Sequence, residues 1–86
     1  MSYSVYILQS LKNGKYYVGS TNGIGQRLLR HNGGKVMSTK NGRPWKCVYI
    51  EIFSTKSEAS KREFQIKSWK KRLAVEKLIN KNGPIV

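Results

Sequence analysis

Residues 3–21 read YSVYILQSLKNGKYYVGST, and this stretch decides the fold. Aromatic and β-branched residues dominate residues 3–10 and again residues 16–21, which predicts two β-strands. Asn13-Gly14 lies between them, and this dipeptide favours a tight turn because both residues tolerate positive φ. The stretch therefore predicts an antiparallel hairpin.

The two tyrosines of this hairpin that matter most are expected to share one face. A two-residue turn places Tyr17 opposite Ser10, and because side chains alternate along a strand, Tyr6 then lies on the same face as Tyr17. Gly19 also falls on this face, beside Leu8. A glycine there relieves crowding or lets a phosphate approach the strand, and the two roles are compatible.

The middle of the chain predicts a helix, a loop and a third strand. Asn22 is a candidate N-cap for a short helix that runs to about His31, whose ring is expected at the edge of a buried stripe. Residues 35–43 are polar and basic, which suits an exposed loop. Pro44 opens a strand over residues 45–53, whose apolar content is typical of a buried or central strand.

Two helices are expected in the last third of the chain. Thr55-Lys56-Ser57-Glu58 has the form of a capping box before the longer one. Helical spacing gives this helix an apolar side made of Ala59, Ile66, Trp69 and Leu73. A break at Lys70-Lys71-Arg72 precedes a final segment over residues 73–80, which Gly83-Pro84 stops.

The element order β-β-α-β-α-α predicts an α+β fold, a three-stranded antiparallel β-sheet flanked by helices. With 86 residues, we expect one domain over residues 1–86 with a core at about residues 3–78. Cys47 is the lone cysteine, which excludes an internal disulfide. Because no signal peptide or membrane span is visible, we expect a cytoplasmic protein without a membrane partner. The oligomeric state is open, with a monomer expected in isolation.

The charge balance predicts a polyanionic partner. Seventeen Lys and Arg residues against four acidic residues give a formal net charge of +13. Such an excess binds nucleic acid through its phosphates in a salt-sensitive way. Charge alone fits a basic protein held among RNA equally well.

The acidic residues exclude several kinds of active site. All of them are glutamates, and the chain has no aspartate and a single histidine. A two-metal site held by many carboxylates, a metal site held by a histidine pair, and a triad that requires aspartate are therefore excluded.

Two short motifs connect the hairpin with a known family. Ser4-Val5-Tyr6 on the first strand and Tyr17-Val18-Gly19 on the second resemble the motifs that name the GIY-YIG endonucleases. Arg27 and His31 match the family's arginine and histidine on the first helix, and Glu63 matches its metal-binding glutamate. The letters that differ from the family's, at positions 4, 5 and 18, leave both tyrosines intact. The resemblance spans nearly the whole chain and is strongest to compact standalone bacterial members.

The resemblance implies a metal-dependent mechanism with five catalytic residues. Tyr6 or Tyr17 acts as general base, directly or through water, and nearby positive charge would favour its deprotonated form. Arg27 stabilises the phosphate. His31 assists proton transfer or orientation. Glu63 is the sole protein ligand of one Mg²⁺ or Mn²⁺, which suits Mg²⁺ because this ion keeps several waters and takes one or two carboxylates.

Each of these residues also has a structural interpretation. Two tyrosines on a hairpin are commonly cross-strand packing residues, and a helix arginine is commonly solvated. A single histidine beside an apolar stripe is commonly a satisfied structural residue. Glu63 could pair with Lys67 one helical turn away. The coincidence of all five residues with the family's order favours the catalytic interpretation.

Other residues are expected to contact the nucleic acid without reading its bases. Together they form a diffuse phosphate-contacting surface of Gly19, Arg30, Lys40, Arg43, Lys67, Lys70, Lys71 and Arg72. Asn80 is the nearest candidate for an asparagine that the family carries near its C-terminus.

The resulting hypothesis is an endonuclease that hydrolyses DNA, which is favoured over RNA as the substrate. Its pathway is open among DNA repair, recombination, mobile-element biology and nucleic-acid turnover. Because no recognition helix or zinc finger is evident, we expect structure-selective or weakly sequence-selective cutting. The alternatives are a catalytically silent nucleic-acid-binding module and a basic RNA-associated protein.

Overall fold

The computed structural model describes residues 2–81. Its elements follow the predicted order, with one 3₁₀ helix in addition: β1 Tyr3–Ser10, β2 Tyr16–Thr21, α1 Ile24–Asn32, the 3₁₀ helix Met37–Gly42, β3 Trp45–Phe53, α2 Lys56–Ser68 and α3 Arg72–Lys81. The predicted α+β class is confirmed. The stop expected at Gly83-Pro84 lies outside the described residues.

β1 is the central strand of the sheet. The strand order is β2-β1-β3, and both pairings are antiparallel. The prediction that β3 is a buried or central strand is therefore wrong in position: β3 is an edge strand, and Ile52 on it is 70% exposed. The central position suits β1 because its run Val5-Tyr6-Ile7-Leu8 is apolar on both faces, and all four residues are buried.

The hairpin register differs from the predicted one by two residues. Tyr17 pairs with Leu8 instead of Ser10, and Gly19 pairs with Tyr6 instead of Leu8. A shift of two residues preserves the face of every side chain, whereas a shift of one would invert it. Tyr6 and Tyr17 therefore share a face as predicted.

The turn is wider than two residues because the Ser10 side chain organises it. The Ser10 hydroxyl accepts hydrogen bonds from the backbone N–H groups of Lys12 and Asn13, both at 3.1 Å. The Ser10 N–H donates to the Lys15 carbonyl at 2.9 Å and closes the loop. Gly14 supplies the positive φ of 76° that the turn needs.

Two hydrophobic clusters cover the two faces of the sheet. The α2-side cluster joins β residues to both C-terminal helices and has at its centre Val5, Ile7, Val18, Tyr49, Ala59 and Ile66. The α1-side cluster contains Tyr6, Leu8 and Trp45, against which Ile24 and Leu28 of α1 pack. The tyrosine face of the hairpin is therefore the face beneath α1.

Thr55 caps the start of α2, which is one half of the predicted capping box. The Thr55 hydroxyl accepts a hydrogen bond from the Glu58 N–H at 3.2 Å, which satisfies one free donor of the first turn. At α1 the prediction of the cap is wrong, since the helix begins at Ile24 with Gly23, rather than Asn22, in the N-cap position.

The apolar side predicted for α2 runs beyond the end of the helix, which is at Ser68. Ala59 and Ile66 are buried and Trp69 packs against the α2-side cluster, but Leu73 is 62% exposed. The helix ends before Lys70, which has a φ of 56°, and α3 starts a new direction at Arg72. Helical spacing does not hold across such a break.

The basic segment before β3 is more ordered than predicted. Part of it forms the 3₁₀ helix, in which Thr39 is fully buried. The Trp45 indole N–H donates to the Thr39 carbonyl at 2.7 Å, and the Ser10 hydroxyl donates to the Gly42 carbonyl at 2.6 Å. These bonds hold the segment against the sheet. Across residues 2–81, no helix is long and apolar enough to cross a membrane.

Candidate active site

Three of the five predicted residues form one aromatic cluster beneath α1. The ring centres of Tyr17 and His31 are 4.9 Å apart, and those of Tyr6 and Tyr17 are 6.4 Å apart. Tyr6 and His31 meet edge to face at 5.9 Å. The shared hairpin face and one turn of α1 are sufficient to bring these rings together.

A buried chain of hydrogen bonds fixes the His31 ring. Its Nε2 lies 3.0 Å from the Tyr6 hydroxyl, and its Nδ1 lies 2.8 Å from the Thr39 hydroxyl, which itself donates to the Val36 carbonyl at 3.3 Å. Because the Thr39 hydroxyl has a single proton, it accepts from Nδ1–H, and Nε2 accepts the Tyr6 proton. His31 is therefore not at the edge of a stripe, as predicted, but fully buried.

The surroundings keep His31 neutral and Tyr6 protonated. Burial lowers the pKa of the His31 imidazole, and the positive charges of Arg27 and Arg30 lower it further. Burial raises the pKa of the Tyr6 phenol, Tyr17 adds to this increase, and Arg27 opposes it. The Tyr6 hydroxyl is thus a hydrogen-bond donor to His31 at neutral pH.

Gly19 makes room for the Tyr6 hydroxyl. A Cβ atom at this position would lie 2.6 Å from that oxygen and 3.2 Å from the Tyr17 ring. The neighbour predicted for Gly19 was Leu8, and the register shift replaces it with Tyr6. Relief of crowding is therefore the role that this contact supports.

Arg27 points into a small polar pocket at the end of β2. The pocket has a volume of about 250 Å³ and is also lined by Ser20, Thr21 and Lys56. Arg27 is half-buried, and its guanidinium has no hydrogen bond or ion pair with any of the residues that the structure describes. A half-buried cation of this kind is available to an anion.

Glu63 approaches β2 from the other side of the sheet. Ser20, whose side chain faces away from that of Tyr17, donates its hydroxyl to Oε1 of Glu63 at 2.6 Å. Lys67 pairs with Oε2 of Glu63 at 2.5 Å. The ion pair that was the structural alternative for Glu63 is therefore present. Ser20 connects the surroundings of Glu63 and Arg27. Its hydroxyl donates to Glu63, and it lines the same polar pocket as Arg27.

The donor set fits magnesium better than zinc. Among the described residues there is no group of three or more His, Cys, Asp or Glu side chains that could enclose an ion. One half-buried carboxylate beside an open polar pocket suits an ion that retains waters and takes its other ligands from a substrate. Glu63 could hold Mg²⁺ or Mn²⁺ if Lys67, whose side chain is 49% exposed, moves away.

The predicted phosphate-contacting surface divides into separate patches. Lys67, Lys70, Lys71 and Arg72 line one groove next to Tyr17, whereas Lys40 and Arg43 line a different pocket beside Pro44. Arg30 is exposed on α1. Asn80 is exposed on α3, which packs on the α2-side cluster, away from the face of the tyrosines.

Two residues of this arrangement were absent from the sequence-based predictions. Thr39 lies in a polar segment with no periodicity, so its burial under His31 has no local signal. Ser20 lies on the strand face opposite Tyr17, and only the position of α2 brings Glu63 to it.

We predict that Thr39→Val destabilises the fold by about 1–3 kcal/mol, because it leaves the buried Nδ1–H of His31 without an acceptor. Urea unfolding followed by circular dichroism measures this change. Thr39→Ser is the matched control, since it keeps the hydroxyl and should retain most of the stability. Equal stabilities for the valine and serine variants would contradict the hydrogen-bond chain.

Comparisons with known proteins agree with the fold. The model of the GIY-YIG catalytic domain matches residues 2–80. The UPF0213 protein of Staphylococcus saprophyticus is 42% identical over 69 residues, which cover 79% of this chain and 83% of the relative. The UPF0213 protein of Bacillus pumilus is 39% identical over 77 residues, covering 85% and 78% respectively. The solution NMR structure of the UPF0213 protein of Bacillus halodurans is similar with a TM-score of 0.61 and 33% identity, over 96% of this chain and 87% of that one.

Proposed function

The chain belongs to the GIY-YIG family, and we propose that it is a metal-dependent endonuclease that hydrolyses phosphodiester bonds of DNA. The family points to a nuclease. The observation that carries the proposal is Arg27, a half-buried cation without a protein partner in residues 2–81, in a polar pocket that borders Glu63 through Ser20. We treat residues 1–86 as one nuclease domain.

Arg27 is proposed to bind the phosphate that is cut. Hydrolysis of a phosphodiester concentrates negative charge on the phosphoryl oxygens, and a preorganised guanidinium stabilises that charge. The planar fork of an arginine also fixes the orientation of the phosphate through paired hydrogen bonds. The pocket leaves the guanidinium open to such a contact.

Tyr17 is the tyrosine that we assign to orient the attacking water and, acting in its phenolate form, to take that water's proton. Tyr17 is half-buried on the edge strand β2, so water and substrate can reach it. Tyr6 is 1% exposed, and its proton is committed to His31. We therefore assign Tyr6 and His31 to holding the Tyr17 ring in place, with His31 as the acceptor of the Tyr6 hydroxyl.

Glu63 is proposed to hold the divalent ion, with Ser20 fixing one of its oxygens. A bound Mg²⁺ or Mn²⁺ would supply Lewis-acid stabilisation of the phosphate oxygens. Lys67 neutralises Glu63 in the protein alone, and it is free to turn toward a DNA phosphate when the carboxylate is used otherwise.

Metal removal gives the first test. We expect the wild-type protein to cut at least one of labelled single-stranded, duplex and branched DNA with Mg²⁺ or Mn²⁺, and to stop in excess EDTA while still binding the DNA. RNA strands of the same sequence test the preference for DNA. Tight binding without cutting of any substrate would contradict the nuclease and favour the binding module that the charge of +13 also supports.

A further inference from the structure

A groove runs between the outer edge of β2 and the junction of α2 with α3. It has a volume of about 490 Å³, which is within the range of sites for small organic ligands. Val18, Ile66 and Val75 contribute its apolar floor. Lys67 lines the groove as well and pairs with Glu63, so the groove adjoins the proposed metal site.

The rim of the groove is positively charged. Lys15, Lys70 and Lys71 are exposed there, and none of them has a carboxylate partner in the described part of the chain. Lys70 has a φ of 56°, in the left-handed region that favours glycine. A lysine is uncommon at such a φ.

Arg72 fixes the shape of the groove. Its guanidinium lies 4.7 Å from the centre of the Tyr16 ring, donates to the Gly14 carbonyl at 2.8 Å and pairs with Glu76 at 3.3 Å. These contacts tie the hairpin loop to α3. They leave Lys15, Lys70 and Lys71 as the rim cations available to a ligand.

We infer that this groove binds an unpaired nucleotide that flanks the cleaved phosphodiester, an inference that rests on the proposed nuclease function. An apolar floor with a cationic rim matches the two parts of a nucleotide, since the base has apolar faces and its phosphates are anionic. Paired bases are stacked inside a duplex and cannot enter the groove. The unpaired nucleotide comes from a single strand, an overhang or a bulge.

Binding of a fluorescein-labelled dT12 strand, measured by anisotropy in EDTA, tests the rim. We expect the double variant Lys70→Ala/Lys71→Ala to bind at least tenfold more weakly at about 0.1 M salt, because two phosphate contacts on a single strand contribute about 1.4 to the slope of log K against log salt. Lys46→Ala/Lys61→Ala removes the same charge at exposed positions away from the groove and should change the slope by much less. If the two double variants weaken binding of dT12 equally, Lys70 and Lys71 do not bind the strand specifically.

A strand of twelve abasic residues, with the same phosphates, tests the floor. We expect wild type to bind dT12 more tightly than the abasic strand, and a duplex with a dT overhang more tightly than a blunt duplex. The nucleotide site would be overturned if dT12 bound no better than the abasic strand and the overhang duplex no better than the blunt one. Competition by a decaglutamate peptide as strong as that by unlabelled dT12 would also overturn it. If wild type cuts DNA but shows no such preference, only this inference fails. If it shows the preference but never cuts, the nuclease proposal fails.

Discussion

Arg27→Ala is expected to lower kcat/KM for DNA cleavage by about 10²–10³-fold, the usual effect of removing one preorganised donor to a developing anion. The guanidinium has no hydrogen bond or ion pair to any residue from 2 to 81, so its loss breaks no polar contact within that part of the chain. We therefore expect the free energy of unfolding to change by less than about 0.5 kcal/mol. Single-turnover cleavage and urea unfolding measure the two effects separately.

Two further variants separate the role of Arg27 from that of positive charge in general. Arg27→Lys keeps the charge but loses the planar fork, and should recover only part of the rate. Lys35→Ala removes the same charge from an exposed position near the end of α1 and should cut within about threefold of wild type. If Arg27→Ala cuts as fast as Lys35→Ala, Arg27 does not bind the reacting phosphate.

The strands could be predicted from the sequence because their signals are local. All three have the predicted bounds, since runs of β-branched and aromatic residues and the flanking turn residues need no distant partner. The width of the first turn could not be predicted, because it depends on the Ser10 hydroxyl as an acceptor for two backbone N–H groups. The edge position of β3 depends on pairing across the sheet, which an apolar pattern does not encode.

In the site, too, the contacts set by local sequence could be predicted, whereas those set by the packing of distant elements could not. Strand alternation predicted that Tyr6 and Tyr17 share a face, and the structure places His31 against both rings. The approach of Glu63 from the opposite side of the sheet depends on how α2 packs, and its contact with Ser20 follows from that packing. The burial of His31 likewise depends on the 3₁₀ helix that carries Thr39.

Glu63→Gln is expected to reduce metal-dependent cleavage by roughly 10³-fold or more, which corresponds to about 4 kcal/mol of transition-state stabilisation. Glutamine keeps the size of the side chain and an oxygen that can accept from Ser20, but it lacks the charge that binds a divalent ion. Lost pairing with Lys67 should cost only about 0.3–0.5 kcal/mol of stability, because that pair is partly exposed and one helical turn apart. Electron paramagnetic resonance of free Mn²⁺ measures the lost metal binding directly.

Lys67→Ala distinguishes the two interpretations of Glu63. If Glu63 only pairs with Lys67, removing either partner removes the same contact, and the two variants should behave alike. If Glu63 holds the metal, Lys67 competes with the ion for Oε2, so Lys67→Ala should bind Mn²⁺ more tightly and continue to cut, although with weaker affinity for DNA. Opposite shifts in Mn²⁺ affinity for the two variants would support the metal site, and parallel shifts would leave Glu63 as a structural partner of Lys67.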